Sequence, residues 1–309
     1  MNRSLALALL FLASALGSGS AQAASPREGV VPADAKIEKL WGEGSFTEGG
    51  VWTRDGVLLF SDIGNRIMRF DPKTGKTTVF RDPSGRANGM ILDPKGRLVV
   101  AEGANIGGNR RVSVTLPDGK VETLADSYQG KRFNSPNDVA IDRAGRVYVS
   151  DPRYVGSEPR ELDFEAVFRI DPDGSVHRLE TGAFKPNGLV VSPDGKTLYV
   201  ADNGSKRKAL IALALDDAGN VSKPRVLVDF GKGRGIDGMT VTVDGRIVAT
   251  AGEGDKAGVV VFSPEGASVG FIPTPETPTN VEFGGDDRST LYITAGTGLY
   301  RIRTNMKGY

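Results

Sequence analysis

Six polar residues each stand immediately ahead of a short apolar run with the composition of a β-strand. They are Glu48, Asn88, Asn137, Asn187, Asp237 and Asn280, hereafter the six heads. A single asparagine in such a place is usually a turn former, but six equivalent polar residues, two of them carboxylates, indicate a shared role. Carboxylate and carboxamide oxygens suit hard divalent cations, and two carboxylates would nearly balance a 2+ charge.

Other kinds of catalytic site find little support in the composition. The chain of 309 residues has no cysteine and one histidine, His177. The lack of cysteine excludes disulfides and a thiol nucleophile. His177 falls in a predicted strand late in its repeat, so we expect it at the surface. That placement disfavours a Ser-His-Asp triad and a histidine zinc site.

The elements that must position the heads follow from an internal repeat. The heads lie 40, 49, 50, 50 and 43 residues apart. Asn137, for example, opens "NDVAIDRAGRVYVSD", a strand, a polar turn and a second strand. Further strand pairs lie between the copies, which makes four short strands per copy, the layout of a propeller blade. The 41 glycines and the many Asp-Gly turns agree with repeated hairpins.

The two ends of the repeat indicate a closed ring. The last copy offers only residues 298–304 as a third strand and lacks a fourth, while a spare strand, residues 35–44, precedes the first copy. Pairing the two would remove exposed sheet edges. The sequence therefore predicts an all-β fold, a six-bladed β-propeller formed by residues 24–309 as one domain. The first strand of each blade lines the central channel, so the six heads should converge at one mouth.

Residues 1–23 have the layout of a secretory signal peptide. Arg3 precedes an apolar stretch, residues 5–16, and Ala21-Gln22-Ala23 resembles a cleavage site. The apolar stretch is shorter than the ~20 residues of a membrane span. We expect cleavage after Ala23 and a periplasmic or secreted protein. Loss of Arg3 leaves 38 basic against 38 acidic residues, which favours neither nucleic acid nor a membrane as a partner. The oligomeric state stays open.

Five motifs, in this order and spacing, resemble one protein family. They are "TEGGVW" (47–52), "RANGM" (86–90), "RFNSPNDV" (132–139), "KPNGL" (185–189) and "GIDGM" (235–239). Over residues 36–303 the chain resembles the senescence marker protein/regucalcin/gluconolactonase family. "SDPRYVG" (150–156) is closest to its bacterial gluconolactonase-like members.

The resemblance implies roles for individual residues. Glu48, Asn187 and Asp237 match the family's metal ligands, and Asn137 matches an asparagine that contacts the metal or the substrate. Asp237 also matches the proposed general base. Polar groups that bind sugar hydroxyls are expected at four further positions besides Asn137. These positions are Arg86, Asn88, Arg132 and Asn134.

The resemblance implies a metal-dependent hydrolase that opens a small sugar lactone. The cation, Ca²⁺ by first expectation with Mg²⁺, Mn²⁺, Zn²⁺ and Fe²⁺ left open, would polarise the lactone carbonyl. Asp237 would either accept a proton from the attacking water or only position it. Two alternatives remain: a hydrolase of other lactones or organophosphate-type esters, and a non-enzymatic ligand-binding propeller with a structural cation. Two predicted rim loops, residues 154–165 and 203–209, should govern substrate choice.

Overall fold

A computed structural model describes residues 29–309, and the predicted signal peptide lies outside the described residues. The described part of the chain forms six four-stranded antiparallel sheets. They are arranged as the blades of a propeller, which confirms the predicted six-bladed fold. The first strands of neighbouring blades contact one another around the central channel.

The blades follow one another along the chain. Blade 1 contains β2 (Thr47–Trp52), β3 (Leu58–Asp62), β4 (Arg66–Asp71) and β5 (Lys76–Arg81). Blade 2 contains β6 (Ala87–Leu92), β7 (Leu98–Glu102), β8 (Arg111–Thr115) and β9 (Val121–Ala125). Blade 3 contains β12 (Val139–Ile141), β13 (Val147–Asp151), β14 (Ala166–Ile170) and β15 (Val176–Leu179). Blade 4 contains β16 (Pro186–Val191), β17 (Thr197–Asn203), β18 (Lys208–Leu215) and β19 (Val221–Asp229).

The remaining elements complete the ring. Blade 5 contains β20 (Met239–Val241), β21 (Ile247–Ala251), β22 (Gly258–Phe262) and β23 (Ser268–Pro273). Blade 6 contains β24 (Pro278–Gly284), β25 (Thr290–Ala295), β26 (Gly298–Arg303) and β1 (Glu38–Trp41). A small hairpin of β10 (Ser127–Tyr128) and β11 (Lys131–Arg132) precedes blade 3, and a 3₁₀ helix, Gly254–Lys256, connects β21 to β22. Among residues 29–309 there is no helix with the length and apolar content of a membrane span.

The N-terminal strand supplies the outer strand of blade 6. β1 pairs antiparallel with β26, with Glu38 opposite Arg301 and Lys39 opposite Tyr300. The Trp41 ring at the end of β1 lies edge-on to Phe60 of blade 1, with ring centres 5.5 Å apart. The strand therefore joins the last blade to the first through packing as well as through hydrogen bonds.

The core consists of apolar layers between neighbouring blades. Phe168 of blade 3, for example, packs with Val99 and Ala101 of blade 2. The second strand of a blade is covered on both faces, and β3 and β13 are buried along their full length. This explains why each of these strands begins with three consecutive apolar residues instead of alternating apolar with polar ones.

The last residues of the chain cross the mouth of the channel opposite the heads, hereafter the far mouth. The Tyr309 amide donates to the Val241 carbonyl, 3.1 Å away. The Tyr309 carbonyl accepts a hydrogen bond from Arg288 at 2.7 Å, and the Tyr309 hydroxyl accepts one from Arg143 at 3.2 Å. Access to the channel is therefore easier from the head side.

Candidate active site

A cavity of ≈ 680 Å³ opens at the mouth of the channel where the first strands begin, hereafter the head cavity. Five of the six heads line it. Glu48, Asn88 and Asn187 lie on the first strands of blades 1, 2 and 4, and Asn137 and Asp237 stand two residues before the first strands of blades 3 and 5. Residues up to 189 positions apart in sequence therefore face one space.

Hydrogen bonds between neighbouring blades fix the position of the heads along the channel. The amide that follows a head donates to the head carbonyl of a neighbouring blade: Gly89 to Asn137 at 2.7 Å and Gly188 to Asp237 at 2.9 Å. A Cβ on Gly188 would lie 2.2 Å from the Asp237 carbonyl oxygen. Glycine after the head thus permits the close approach of the blades.

The same pattern corrects the sixth head. Gly238 donates to the carbonyl of Thr279, at 2.7 Å, and not to Asn280. Asn280 is therefore one residue past the true head, and its Oδ1 accepts from the Val281 amide at 2.8 Å. The prediction that Asn280 joins the other heads is wrong. Thr279 is buried and donates to the Thr47 carbonyl at 2.8 Å, so blade 6 adds no open oxygen ligand.

Glu48 and Asp237 form the electrostatic centre of the head cavity. Glu48 is only 5% exposed, and burial, followed by the charge of Asp237, raises its pKa well above the ordinary value. Burial also raises the pKa of Asp237, against the opposing effects of Arg234 and Asn187. Arg234 donates to Asp237 Oδ2 at 2.5 Å, and Asn187 Nδ2 donates to Oδ1 at 2.8 Å.

The donor set of the cavity fits a divalent cation. Burial is the main reason that each carboxylate resists ionisation, and a bound divalent cation would supply the positive charge that favours the ionised form of both. No cluster of three Asp, Glu or His side chains with metal-site geometry exists in residues 29–309. The carboxylates would therefore share the ion with the amide oxygens of Asn137 and Asn187, an all-oxygen set typical of Ca²⁺ or Mg²⁺ sites.

Besides Asn137, two of the four further predicted sugar-binding residues line the cavity. Asn88 faces it directly. Arg86 also lines it, but its Nε donates to the Ile106 carbonyl at 2.8 Å and its Nη1 to the Ile63 carbonyl at 2.7 Å. Arg86 therefore holds two loops of the cavity wall together in addition to presenting positive charge.

The other two do not reach the cavity, which corrects the prediction for them. Arg132 is exposed and donates to the Asn109 carbonyl at 2.7 Å. Asn134 is fully buried, and its Nδ2 donates to the Phe164 carbonyl at 2.8 Å. Asn134 supports the loop between β13 and β14, because Arg153 of that loop donates to the Asn134 carbonyl at 2.8 Å. The prediction for both residues rests on one motif, whose polar residues support this loop instead of lining the cavity.

Sequence reasoning missed several polar residues of the cavity wall, among them Tyr154, Asn203, Lys208 and Arg234. Tyr154, Asn203 and Lys208 belong to the two predicted rim loops, and Arg234 lies three positions before Asp237 in "RGID". Membership of a predicted rim loop, or closeness to Asp237 in the sequence, was therefore the feature by which these four residues could have been predicted. Although Tyr154 as a whole is 44% exposed, burial of its phenol group and the charge of Asp237 raise its pKa, so the phenol stays protonated and can donate a hydrogen bond.

His177 lies where the sequence placed it. It is an exposed residue of β15, the outer strand of blade 3, 3.2 Å from both Ser175 Oγ and Asp171 Oδ2. The only histidine of the chain therefore takes no part in the head cavity.

Comparison with known proteins gives a consistent picture. Residues 46–297 match the family described as SMP-30/Gluconolactonase/LRE-like region. A gluconolactonase from Zymomonas mobilis is 32% identical, over 92% of this chain and 86% of that protein. A pentonolactonase from Haloferax volcanii is 32% identical, over 81% of each chain. The solved gluconolactonase from Xanthomonas campestris is 30% identical, with a TM-score of 0.79 over 91% of this chain and 99% of that one.

Proposed function

The chain belongs to the SMP-30/gluconolactonase family, and we propose that it is a lactonase that hydrolyses sugar lactones in the head cavity with a divalent cation. The observation that carries the proposal is the proximity of two carboxylates, Glu48 and Asp237, in the head cavity. Five heads line this cavity. The gluconolactonase and pentonolactonase relatives support the reaction class.

Four residues would hold the cation: Glu48, Asn137, Asn187 and Asp237, all of which line the cavity. When bound there, the cation supplies Lewis-acid polarisation of the lactone carbonyl. Glu48 is enclosed by protein, so its role is to bind charge and not to contact the substrate. Asp237 is more open, with a side chain 17% exposed.

The residues around Asp237 supply the remaining chemistry. Water adds to the lactone carbonyl carbon, the ring C–O bond breaks, and the ring oxygen takes a proton to give the hydroxy acid. We assign Asp237 as the group that accepts the proton of the attacking water. Arg234, 2.5 Å from Asp237, orients that carboxylate and opposes the rise of its pKa that burial causes. The protonated Tyr154 phenol and the Asn88 amide are placed to bind substrate oxygens.

Two substitutions test the assignment. Glu48→Gln and Asp237→Asn each keep the side-chain size and remove one negative charge from the site. Both should weaken cation binding by about tenfold or more in calorimetry with Ca²⁺, Mg²⁺ or Mn²⁺. Saturating cation should restore gluconolactone hydrolysis, followed by pH-stat, in Glu48→Gln but not in Asp237→Asn, which has also lost the proton acceptor.

His177→Ala provides the matched control and should leave both cation binding and turnover unchanged. If saturating cation restores Asp237→Asn to the parental rate, Asp237 only positions the water. If the parent hydrolyses no lactone and the substitutions lower only the melting temperature, the cation is structural and the proposed function is wrong.

A further inference from the structure

The outer part of the head cavity differs in chemistry from its floor. The floor carries the buried Glu48 and Asn187 side chains, whereas Phe46 and Val155 on the outer wall are 43% and 58% exposed. Tyr154, also on the outer wall, is 44% exposed. Large apolar surface left open to water beside polar groups is typical of ligand-binding surfaces.

The cavity is also larger than a single sugar lactone requires. Water occupies about 30 Å³ per molecule in the liquid, and a six-carbon lactone with the bulk of six or seven waters fills about 200 Å³. The cavity measures ≈ 680 Å³. A lactone ring bound at the floor therefore leaves room for a second group of similar size or larger next to the outer wall.

The main chain at Phe46 and the ring of Tyr154 are each fixed by neighbouring groups. The Phe46 amide donates to the buried Asp62 carboxylate at 3.2 Å, and its carbonyl accepts from the Ile63 amide at 3.0 Å. The Lys185 ammonium lies 4.7 Å from the centre of the Tyr154 ring. Lys185 does not line the head cavity, so the opposite face of the Tyr154 ring is left to face the cavity.

Polar groups line the same cavity. Ser45, Asn105 and Lys208 belong to its wall, and the Ser45 hydroxyl, the Asn105 side-chain Nδ2 and the Lys208 ammonium have no hydrogen-bond partner in the part of the chain that the structure describes. An alkyl chain would leave all three unused. A sugar ring would use them with its hydroxyl edge, while its C–H face would stack on the negative face of an aromatic ring.

We propose that the outer wall is a subsite for a second sugar ring, and that the substrate class includes lactones of disaccharide aldonic acids. This inference rests on the proposed function. The lactone ring lies at the floor, where water opens it, and the glycosidic bond is left intact. Such lactones are the products of oxidation at the reducing end of a disaccharide, so an oxidoreductase of that class must supply the substrate.

The test compares 4-O-glucosyl-gluconolactone with gluconolactone as substrates for the cation-loaded protein. The parent should show about tenfold higher kcat/KM for the disaccharide lactone, the gain expected from one aromatic stacking contact. Phe46→Ala should lose that gain and change gluconolactone hydrolysis less than about twofold. Phe184→Ala is the matched control, because Phe184 is exposed but does not line the head cavity.

Calorimetry with the two open-chain acids separates this inference from the proposed function. The disaccharide acid should bind more tightly than gluconate, and Phe46→Ala should abolish the difference, whether or not the protein turns over. Equal binding of the two acids, or a Phe46→Ala loss shared by Phe184→Ala, would overturn the subsite. A pentyl-substituted lactone that gains as much as the disaccharide lactone would overturn its assignment to sugar.

Discussion

At the scale of single residues, Asp237 is shared between two hydrogen-bond donors and the proposed cation. Arg234 and the Asn187 amide nitrogen each take one of its oxygens, at 2.5 and 2.8 Å. A bound cation needs an oxygen of the same carboxylate. Arg234 is therefore an internal competitor for Asp237, and its positive charge also repels any cation held nearby.

Removal of this competitor should strengthen cation binding. Arg234→Met keeps most of the side-chain length and removes the charge, so we expect about tenfold tighter Ca²⁺ binding in calorimetry, about 1.4 kcal/mol. Arg234→Lys keeps the charge and should bind Ca²⁺ with near-parental affinity. Weaker binding by Arg234→Met would instead show that the guanidinium holds Asp237 in the orientation that the cation requires.

The sequence predicted the site as far as the repeat defines it. Five heads occupy equivalent positions because strand register within a repeat fixes which residue reaches the channel. The alignment of the repeat was displaced by one residue in blade 6. There the buried Thr279 stands in place of an amide or carboxylate, and Asn280 follows it instead of glycine. Tyr154 and Lys208 could not be placed, because the paths of their loops depend on contacts outside the repeat.

At the scale of elements, a recurring aspartate attaches the head loop to its own blade in three of the six blades. Asp62 and Asp151 end the second strands of blades 1 and 3, Asp202 is the penultimate residue of the second strand of blade 4, and all three are fully buried. Each accepts two consecutive loop amides, for example those of Phe184 and Lys185 at 3.0 Å onto Asp202. Such bonds offset the burial of the carboxylate. The heads therefore sit on a braced scaffold, as a preorganised site requires.

The strand β1 is the element that closes the ring, and its removal should expose an edge. A variant that lacks all residues before Gly44 leaves β26 without its outer neighbour. We expect aggregation and loss of a single cooperative unfolding transition, because an unpaired strand edge is a template for intermolecular pairing. Size-exclusion chromatography and thermal unfolding measure both.

Trp41→Ala in the full chain is the control for this deletion. It keeps the β1–β26 pairing and removes the ring that packs on Phe60 and the apolar cluster around it. The ring is partly exposed, so a loss of about 2 kcal/mol is expected in a protein that stays monomeric and cooperative. A deletion variant that behaves in the same way would show that β1 is dispensable for closure.

At the scale of the whole molecule, the channel has two mouths with different electrostatics. The head cavity gathers positive side chains around two carboxylates. The far mouth holds Glu282, for which burial raises the pKa to about 7 although Arg288, 3.3 Å away, opposes the shift. Asp138 lies along the same stretch of channel, and burial raises its pKa to about 7 as well. The far mouth therefore carries a cost in stability that depends on pH.

The sign of this cost follows from the direction of the shift. The folded protein holds the Glu282 proton up to pH of about 7, whereas the unfolded chain releases it near the ordinary value of 4.5. Stability contributed by the protonated carboxyl is thus complete below pH 4.5 and is lost as the pH rises to about 7. Glu282→Gln replaces the acid with a neutral group of the same size, which removes this dependence.

We therefore expect Glu282→Gln to melt at the parental temperature at low pH and above it at high pH. Near pH 4.5 the difference should vanish, and at pH of about 8 it should reach about 2 kcal/mol, or about 5 °C in Tm. Arg288 keeps a partner in the variant, since it also donates to the Tyr309 carbonyl at 2.7 Å. Asp287→Asn is the control: this exposed carboxylate has a pKa lowered by its hydrogen bonds from Arg303 and Ser289, so its effect on Tm should be equal at both pH values. A Glu282→Gln difference that does not grow with pH would mean that Arg288 holds Glu282 ionised throughout, and that the far mouth is neutralised by this ion pair instead of by a bound proton.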